Sequence, residues 1–264
     1  MIDLHIDLGV IGGSGFYAFD GLVVEGEHRI DTPYGAPSDA VVVGRIGAAR
    51  LAFLARHAQG HKLAPHRVNY RANIWALREF GVRRIVAANA VGGITAGLGP
   101  RALCVPDQII DYTHGRLSSF CDVDAPDEVT HIDFTEPYSA DLRGRLVEAA
   151  LGLGIAVRAG GVHGITQGPR LETTAEIVRM ARDGCDLVGM TGMPEAALAS
   201  EAGIDYACIA MVANWAAGCS EAGVGVGAPP ISIDEIFAHL GHATAEARRI
   251  IAAVAAGLSA DHPA

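Results

Sequence analysis

The chain has 264 residues, 50% hydrophobic and 19% charged, enough apolar material to fill the core of a sizeable α/β domain. Its formal net charge of −10 argues against a general nucleic-acid binder, which needs a basic face. The five cysteines (Cys104, Cys121, Cys185, Cys208, Cys219) form no C-x-x-C, so neither a disulfide framework nor a zinc knuckle is indicated.

Leu8-Gly9-Val10-Ile11 reads as a buried strand that ends in Gly12-Gly13-Ser14-Gly15, a turn of the kind that aims N–H groups at small anions. No glycine completes G-x-G-x-x-G; counted from Gly12, its last position holds Tyr17. A nicotinamide oxidoreductase is disfavoured on that ground. Asp31 to Pro37 is a turn cluster, and residues 40–46 and 51–55 form a strand pair around Gly47. The second strand runs into Arg56 and His57, a cation and an imidazole suited to gripping phosphate. His57 and His61 have the i, i+4 spacing of a metal pair, but no H-E-x-x-H glutamate accompanies them, and no metal site is expected.

Residues 69–80 have helical spacing with a Gly81 stop, 84–90 form a buried strand ending at Asn89-Ala90-Val91-Gly92-Gly93, and 103–110 form a further strand. Residues 113–130 are polar and irregular and are read as a mobile loop. A helix over 139–153 and a strand over 155–163 follow. Thr173 caps the next helix, with Glu176 at the capping-box spacing, which leaves Glu172 unused by the cap. Asp186 to Gly189 is a short strand, Thr191 a Gly-flanked hydroxyl, and Pro194 opens an Ala-rich helix; such a strand-to-helix turn favours anions. Residues 206–213 form an apolar strand ending at Asn214. Residues 219–230 are read as a flexible segment, and Ser232 with Glu235 as the capping box of the last helix. Repeated strand–turn–helix units indicate an α/β fold whose ligand site gathers at strand C-termini. No linker or repeat divides it, so 1–264 is expected to be one domain. The short acidic N-terminus does not read as a signal peptide and no apolar run reaches membrane-spanning length, so the expectation is a cytoplasmic protein with no membrane partner.

Six motifs stand in order: Gly12–Gly15, Arg56-His57, Val68 to Asn73, Asn89 to Gly93, Gly168-Pro169-Arg170-Leu171-Glu172, and Val188 to Glu195. In that order the chain resembles the trimeric purine nucleoside phosphorylases, which include the methylthioadenosine phosphorylases, and it is most similar within them to the bacterial S-methyl-5′-thioinosine subgroup. The resemblance runs from about Val10 to the final helix. It implies a central twisted mixed sheet flanked by helices, as in phosphorylase/hydrolase-like folds, and a homotrimer. It also implies phosphorolysis of a nucleoside, with inorganic phosphate as co-substrate and no cofactor. Phosphate would be held by Ser14, Arg56, His57, Asn89, the backbone at Ala90, and Thr191. Met190 would lie under the ribose, Leu171 beside the substrate, and His61 and His131 would be lent across a subunit boundary.

Chemistry argues for the base. A 6-oxopurine shows an acceptor at O6 and a donor at N1; a 6-aminopurine reverses both. Methylthioadenosine phosphorylases carry Asp where this chain has Asn214, and an amide can donate to O6 while accepting from N7–H. Glu172 stands where 6-oxopurine enzymes have a glutamate, able to accept N1–H. The competing readings, a helix-N-terminal acid for Glu172 and a turn residue for Asn214, are weaker in this company. Hydroxyl-reading enzymes place a His near the start of the last helix. Here Ile233, Ile236 and Phe237 make that region apolar, as a methylthio group prefers. The expectation is therefore a pentosyltransferase acting on 6-oxopurine nucleosides, S-methyl-5′-thioinosine first, with Asn214, Glu172 and His57 carrying the chemistry. The alternatives are a methylthioadenosine phosphorylase and a non-catalytic purine- or anion-binding protein.

Overall fold

The computed structural model describes residues 5–13, 21–121, 129–225 and 233–261. In chain order they form β1 (Leu8–Gly12), β2 (Val23–His28), β3 (Val41–Ile46), β4 (Ala49–Ala55), α1 (Tyr70–Glu79), β5 (Arg84–Gly93), β6 (Leu103–Val105), β7 (Gln108–Asp111), α2 (Ala140–Gly152), β8 (Arg158–Ala159) and β9 (Val162–Ile165). Then come α3 (Thr174–Arg182), β10 (Leu187–Gly189), α4 (Glu195–Glu201), β11 (Asp205–Trp215), β12 (Cys219–Ser220), β13 (Gly223–Val224) and α5 (Ile233–Asp261). All strands but β12 and β13 join one mixed sheet, so the α/β class with a central mixed sheet holds.

Local signals account for most of these elements. Asn69 caps α1 by accepting from the Ala72 N–H, and Thr173 and Glu176 close the capping box of α3 reciprocally. The proposed capping box at Ser232 and Glu235 lies outside the described residues. In β5 successive side chains serve opposite faces. Ile85 and Ala87 pack with α1 and α4 residues such as Ile74, Leu77 and Leu198. Val86 and Ala88 pack with Leu142 and Leu146 of α2 and Ile250 and Val254 of α5. Each fully buried Leu or Ile of this kind contributes roughly 1.5–3 kcal/mol.

Two runs read as single strands are each divided. Residues 103–110 become β6 and β7, which belong to distant parts of the sheet: β6 pairs with β11 and β8, β7 with β9. Pro106, which has no N–H to give a ladder, falls at the break. Residues 155–163 become β8 and β9, separated at Gly160 and Gly161, both with positive φ; the Asp107 side chain accepts from the Gly161 N–H at 2.8 Å. The 113–130 segment also departs from expectation over its described part. It has no helix or strand through residue 121, but Arg116 and Glu201 tie it down: Glu201 accepts from the Ser119 hydroxyl and the Phe120 N–H. Residues 219–225, read as flexible, contain the β12–β13 hairpin. β2, unanticipated, covers one edge by pairing with β3.

The sheet forks at β5. β11 runs parallel along one edge of β5 from Arg84 to Gly93. The other edge is shared: β1 pairs with residues 85–87 in parallel and β10 with Gly92 and Gly93 in antiparallel sense. Between those two branches, Ala88 to Val91 have no strand partner on that edge. Strand C-termini converge there: β1 at Gly13, β4 at Arg56, β10 at Met190. Glycine is required at Gly93, where an added Cβ would lie 1.7 Å from the Leu98 carbonyl oxygen.

Candidate active site

The fork opens into a cavity of about 180 Å³. Most of the residues selected from sequence line it: Arg56, His57, His61, Ala90, Leu171, Glu172, Met190, Thr191, Asn214 and Ile236. Asn89 lies directly behind it, bonded to two of its walls. His131 is exposed in the segment before α2 and does not line the cavity within one chain. Ser14 lies outside the described residues, as do the side chains of Ile233 and Phe237.

At one end four buried residues form a chain of hydrogen bonds. The Arg56 Nε and Nη2 donate to the two Glu195 carboxylate oxygens, each at 2.8 Å. Nη2 also donates to Asn89 Oδ1 at 3.1 Å, and Nη1 to the Ala88 carbonyl at 3.2 Å. Those contacts take four of the five N–H groups of the guanidinium and leave one hydrogen on Nη1, beside Gly13. An added Cβ at Gly13 would approach Nη1 to 3.1 Å. Burial by itself lowers the Arg56 pKa, but the Glu195 carboxylate overrides it and raises it, so the cation is fixed. Asn89 Nδ2 then donates to Thr191 Oγ1 at 3.2 Å. Because Oγ1 accepts there, the Thr191 hydroxyl proton is free to point into the cavity. Tyr206 donates to Glu195 Oε1 at 2.8 Å and completes the set.

His57 departs from the role expected of it. Its Nδ1 lies 2.7 Å from the Leu63 carbonyl oxygen, which can only accept, so Nδ1 carries the proton. Burial, helped by the Arg56 charge, lowers its pKa to about 4. The neutral ring therefore offers Nε2 as an acceptor, where an imidazole gripping phosphate would be expected to donate. His61 packs against it with the rings tilted by 32° and their centroids 4.4 Å apart. Beneath the β10 turn, His163 is fully buried with its Nδ1 3.1 Å from the Tyr138 hydroxyl; burial holds its pKa down to about 4.

The opposite end is less buried. Glu172 Oε1 accepts from the Thr166 hydroxyl at 2.6 Å. Asn214 sits just past a β-bulge in β11 between Val212 and Asn214, which redirects its side chain out of the regular alternation. Its Nδ2 lies 2.6 Å from the Trp215 carbonyl oxygen, a contact only the NH₂ end of the amide can make. Oδ1 and one Nδ2 hydrogen remain for a ligand. Met190 packs against Gly168, where a Cβ would meet its sulfur at 2.6 Å. His239 of α5 bonds the Ala213 carbonyl at 3.2 Å and does not line the cavity.

Three contributors escaped sequence reasoning. Glu195 stands inside a quoted motif but had no role; the available signal was a carboxylate on an otherwise apolar helix face. Arg116 lay in a segment read as mobile. Thr166 had no local signal. Among the described residues no cluster of His, Cys, Asp and Glu could hold a metal ion, and no helix is long and apolar enough to cross a membrane.

The forked mixed sheet thus gathers a paired guanidinium, a hydroxyl, a carboxylate and an amide around one cavity, and residues 7–256 match the phosphorylase superfamily, to which the chain belongs. It is 54% identical over 252 residues to a probable S-methyl-5′-thioinosine phosphorylase of Xanthomonas campestris pv. campestris, covering 96% of this chain and 98% of that protein. It is 46% identical to a 6-oxopurine nucleoside phosphorylase of Pyrococcus furiosus, over 81% of each chain. Among solved structures, methylthioadenosine phosphorylase from Schistosoma mansoni in complex with adenine superposes with a TM-score of 0.89 at 33% identity, covering 97% of this chain and 93% of that one.

Proposed function

We propose that this chain is a purine nucleoside phosphorylase acting on 6-oxopurine nucleosides, with S-methyl-5′-thioinosine as its main substrate and inosine and guanosine as competitors. The observation that carries the reading is the sharing of one cavity. Glu172 and Asn214, which match a 6-oxopurine edge, line the same space as Arg56, His57 and Thr191, which match phosphate.

In the reaction a phosphate oxygen bonds C1′ as the C1′–N9 bond breaks, and the electron pair leaves with the base. Positive charge develops on the sugar and negative charge on the purine. The Thr191 hydroxyl, the remaining Arg56 hydrogen, the backbone at Ala90 and Ser14 hold the phosphate. His57 Nε2 accepts a hydrogen bond from a phosphate hydroxyl and so fixes the orientation of the nucleophile. Met190 packs under the ribose. Glu172 accepts N1–H, while Asn214 donates to O6 and accepts from N7, where the departing anionic base takes up a solvent proton. Donors preset in this way need no reorganisation as charge moves, and each is worth about 10²–10³ in rate. The whole chain serves as one catalytic domain that needs no metal or cofactor and acts in the cytoplasm. A homotrimer would bring His131 to a neighbouring site, whereas His61, expected to cross a subunit boundary, lines the cavity of its own chain.

The test is hypoxanthine release from methylthioinosine and inosine with and without phosphate. Phosphate-dependent release is expected, with little adenine released from methylthioadenosine. Equal rates with and without phosphate overturn the reading. The superposition on a methylthioadenosine phosphorylase holding adenine favours the second reading, a 6-aminopurine substrate, in which adenine release dominates the same panel. A purine-binding protein without turnover would bind hypoxanthine in calorimetry and release no base.

A further inference from the structure

Thr166 is held at three points. Its N–H donates to the Gly189 carbonyl at 2.8 Å. Its carbonyl accepts from Arg116 Nη2 at 3.2 Å. Its hydroxyl lies 2.6 Å from Glu172 Oε1 and 3.4 Å from the Gly189 carbonyl, so its single proton goes to the carboxylate.

Arg116 makes this anchorage rigid. Its Nη2 also donates to the Gln167 carbonyl at 2.9 Å, Nε to Gln167 Oε1 at 3.1 Å, and Nη1 to the Tyr70 hydroxyl at 3.3 Å and to the Met193 carbonyl. Every N–H of the guanidinium has an acceptor. Residues 166–167 are thereby bound to the turn that carries Met190 and Thr191.

Glu172, by contrast, lies in the irregular stretch between β9 and α3 and lines two cavities: the one described above and a second of about 440 Å³ on its far side. Among the described residues, the Thr166 hydroxyl is the side-chain donor bonded to its carboxylate. With Oε1 pinned, Oε2 remains for the base.

We propose that Thr166 is a positioning residue that, through Glu172, sets the preference for bases carrying a proton on N1. The inference rests on the reading that Glu172 faces the base. A pinned carboxylate meets N1–H with an acceptor and confronts the bare N1 of a 6-aminopurine with lone pair against lone pair. An unpinned one is free to rotate, and so loses the first contact while relieving the second.

Thr166→Val replaces the hydroxyl by a methyl of similar shape; Thr166→Ser keeps the hydroxyl. The measurement is the ratio of kcat/KM for inosine over adenosine, with the KM for phosphate recorded alongside. Losing a hydrogen bond to a charged group predicts a fall in that ratio of about tenfold for Thr166→Val, with Thr166→Ser near the parent and the phosphate KM unchanged. In a Glu172→Gln background Thr166→Val should add nothing further. An unchanged ratio, an equal loss in that background, or a phosphate KM that rises in step overturns the proposal. Calorimetry of hypoxanthine in the presence of phosphate reads the same contact without turnover, and Thr166→Ala replaces Thr166→Val if the latter does not fold. A parent protein that binds hypoxanthine, is weakened about tenfold by Thr166→Val, and releases no base would retain the Thr166 role and overturn the phosphorylase reading. Hypoxanthine binding indifferent to residue 166 overturns the Thr166 role alone.

Discussion

At the phosphate end of the cavity a guanidinium and a carboxylate are both fully buried and bonded to each other, whereas at the base end Glu172 and Asn214 are half-buried and lean on neutral partners, a threonine hydroxyl and a backbone carbonyl. The first arrangement belongs to the core: α4 brings Glu195, β4 brings Arg56, and Tyr206 of β11 closes over them. The second hangs on a connecting segment and a bulge. Altering the buried Arg56–Glu195 end should disturb the fold, while altering the half-buried end should leave the fold intact and change only what the cavity accepts. On the function proposed, selectivity among purines would shift at Glu172 and Asn214 without dismantling the groups assigned to phosphate.

The largest expected effect breaks the comparison directly. Glu195→Ala strands the Arg56 charge in a buried site, which costs about 3–5 kcal/mol of stability. Glu172→Ala, at a half-buried position with a single neutral donor, should cost less than about 1 kcal/mol. Paired urea titrations measure both. Similar losses in the two variants would show that the ends do not differ as their burial implies.

What could be read from sequence divides along a similar line. Asn69, Thr173 and Glu176 announce their caps because capping is decided within one turn. The β3–β4 pair announces itself because its strands meet across a short turn. The fork at β5 was not legible, because it depends on which distant strands occupy one edge. The divided strands at Pro106 and at Gly160–Gly161 looked continuous for the same reason: apolar runs do not say with whom they pair. Arg56, His57 and Thr191 were found as chemistry, but the Arg56–Glu195 pair spans 139 positions and shows only after folding. The His57 tautomer, too, follows from the Leu63 carbonyl and not from the residue's identity.

A middle-sized effect sharpens the base end. In Asn214→Asp, an oxygen would stand where Nδ2 now sits 2.6 Å from the Trp215 carbonyl. Two acceptors at that distance repel, so the carboxylate turns toward the ligand and offers acceptors only. Polar-reading sites discriminate strongly because the wrong base leaves buried groups unpaired; the inosine/adenosine ratio of kcat/KM should fall by about 10²-fold. Stability should change little beside Glu195→Ala. An unchanged ratio would remove Asn214 from the base-reading pair.

The smallest effect concerns the sugar's 5′ end, where neither charge nor hydrogen bond is at stake. Ile236 of α5 lines the cavity and is half-buried. An apolar wall favours a methylthio group over a hydroxyl only by the area it covers, about 1–3 kcal/mol at most. Ile236→Ala should therefore lower kcat/KM for methylthioinosine relative to inosine by about tenfold or less, leaving the phosphate KM and the inosine/adenosine ratio as they were. His239 provides the control. Its ring is tied to the Ala213 carbonyl one residue before Asn214, so His239→Ala should not alter the methylthio preference. If that preference instead moved with His239 and ignored Ile236, the 5′ end would be read by a polar group, and the base end would extend its chemistry along β11 into α5.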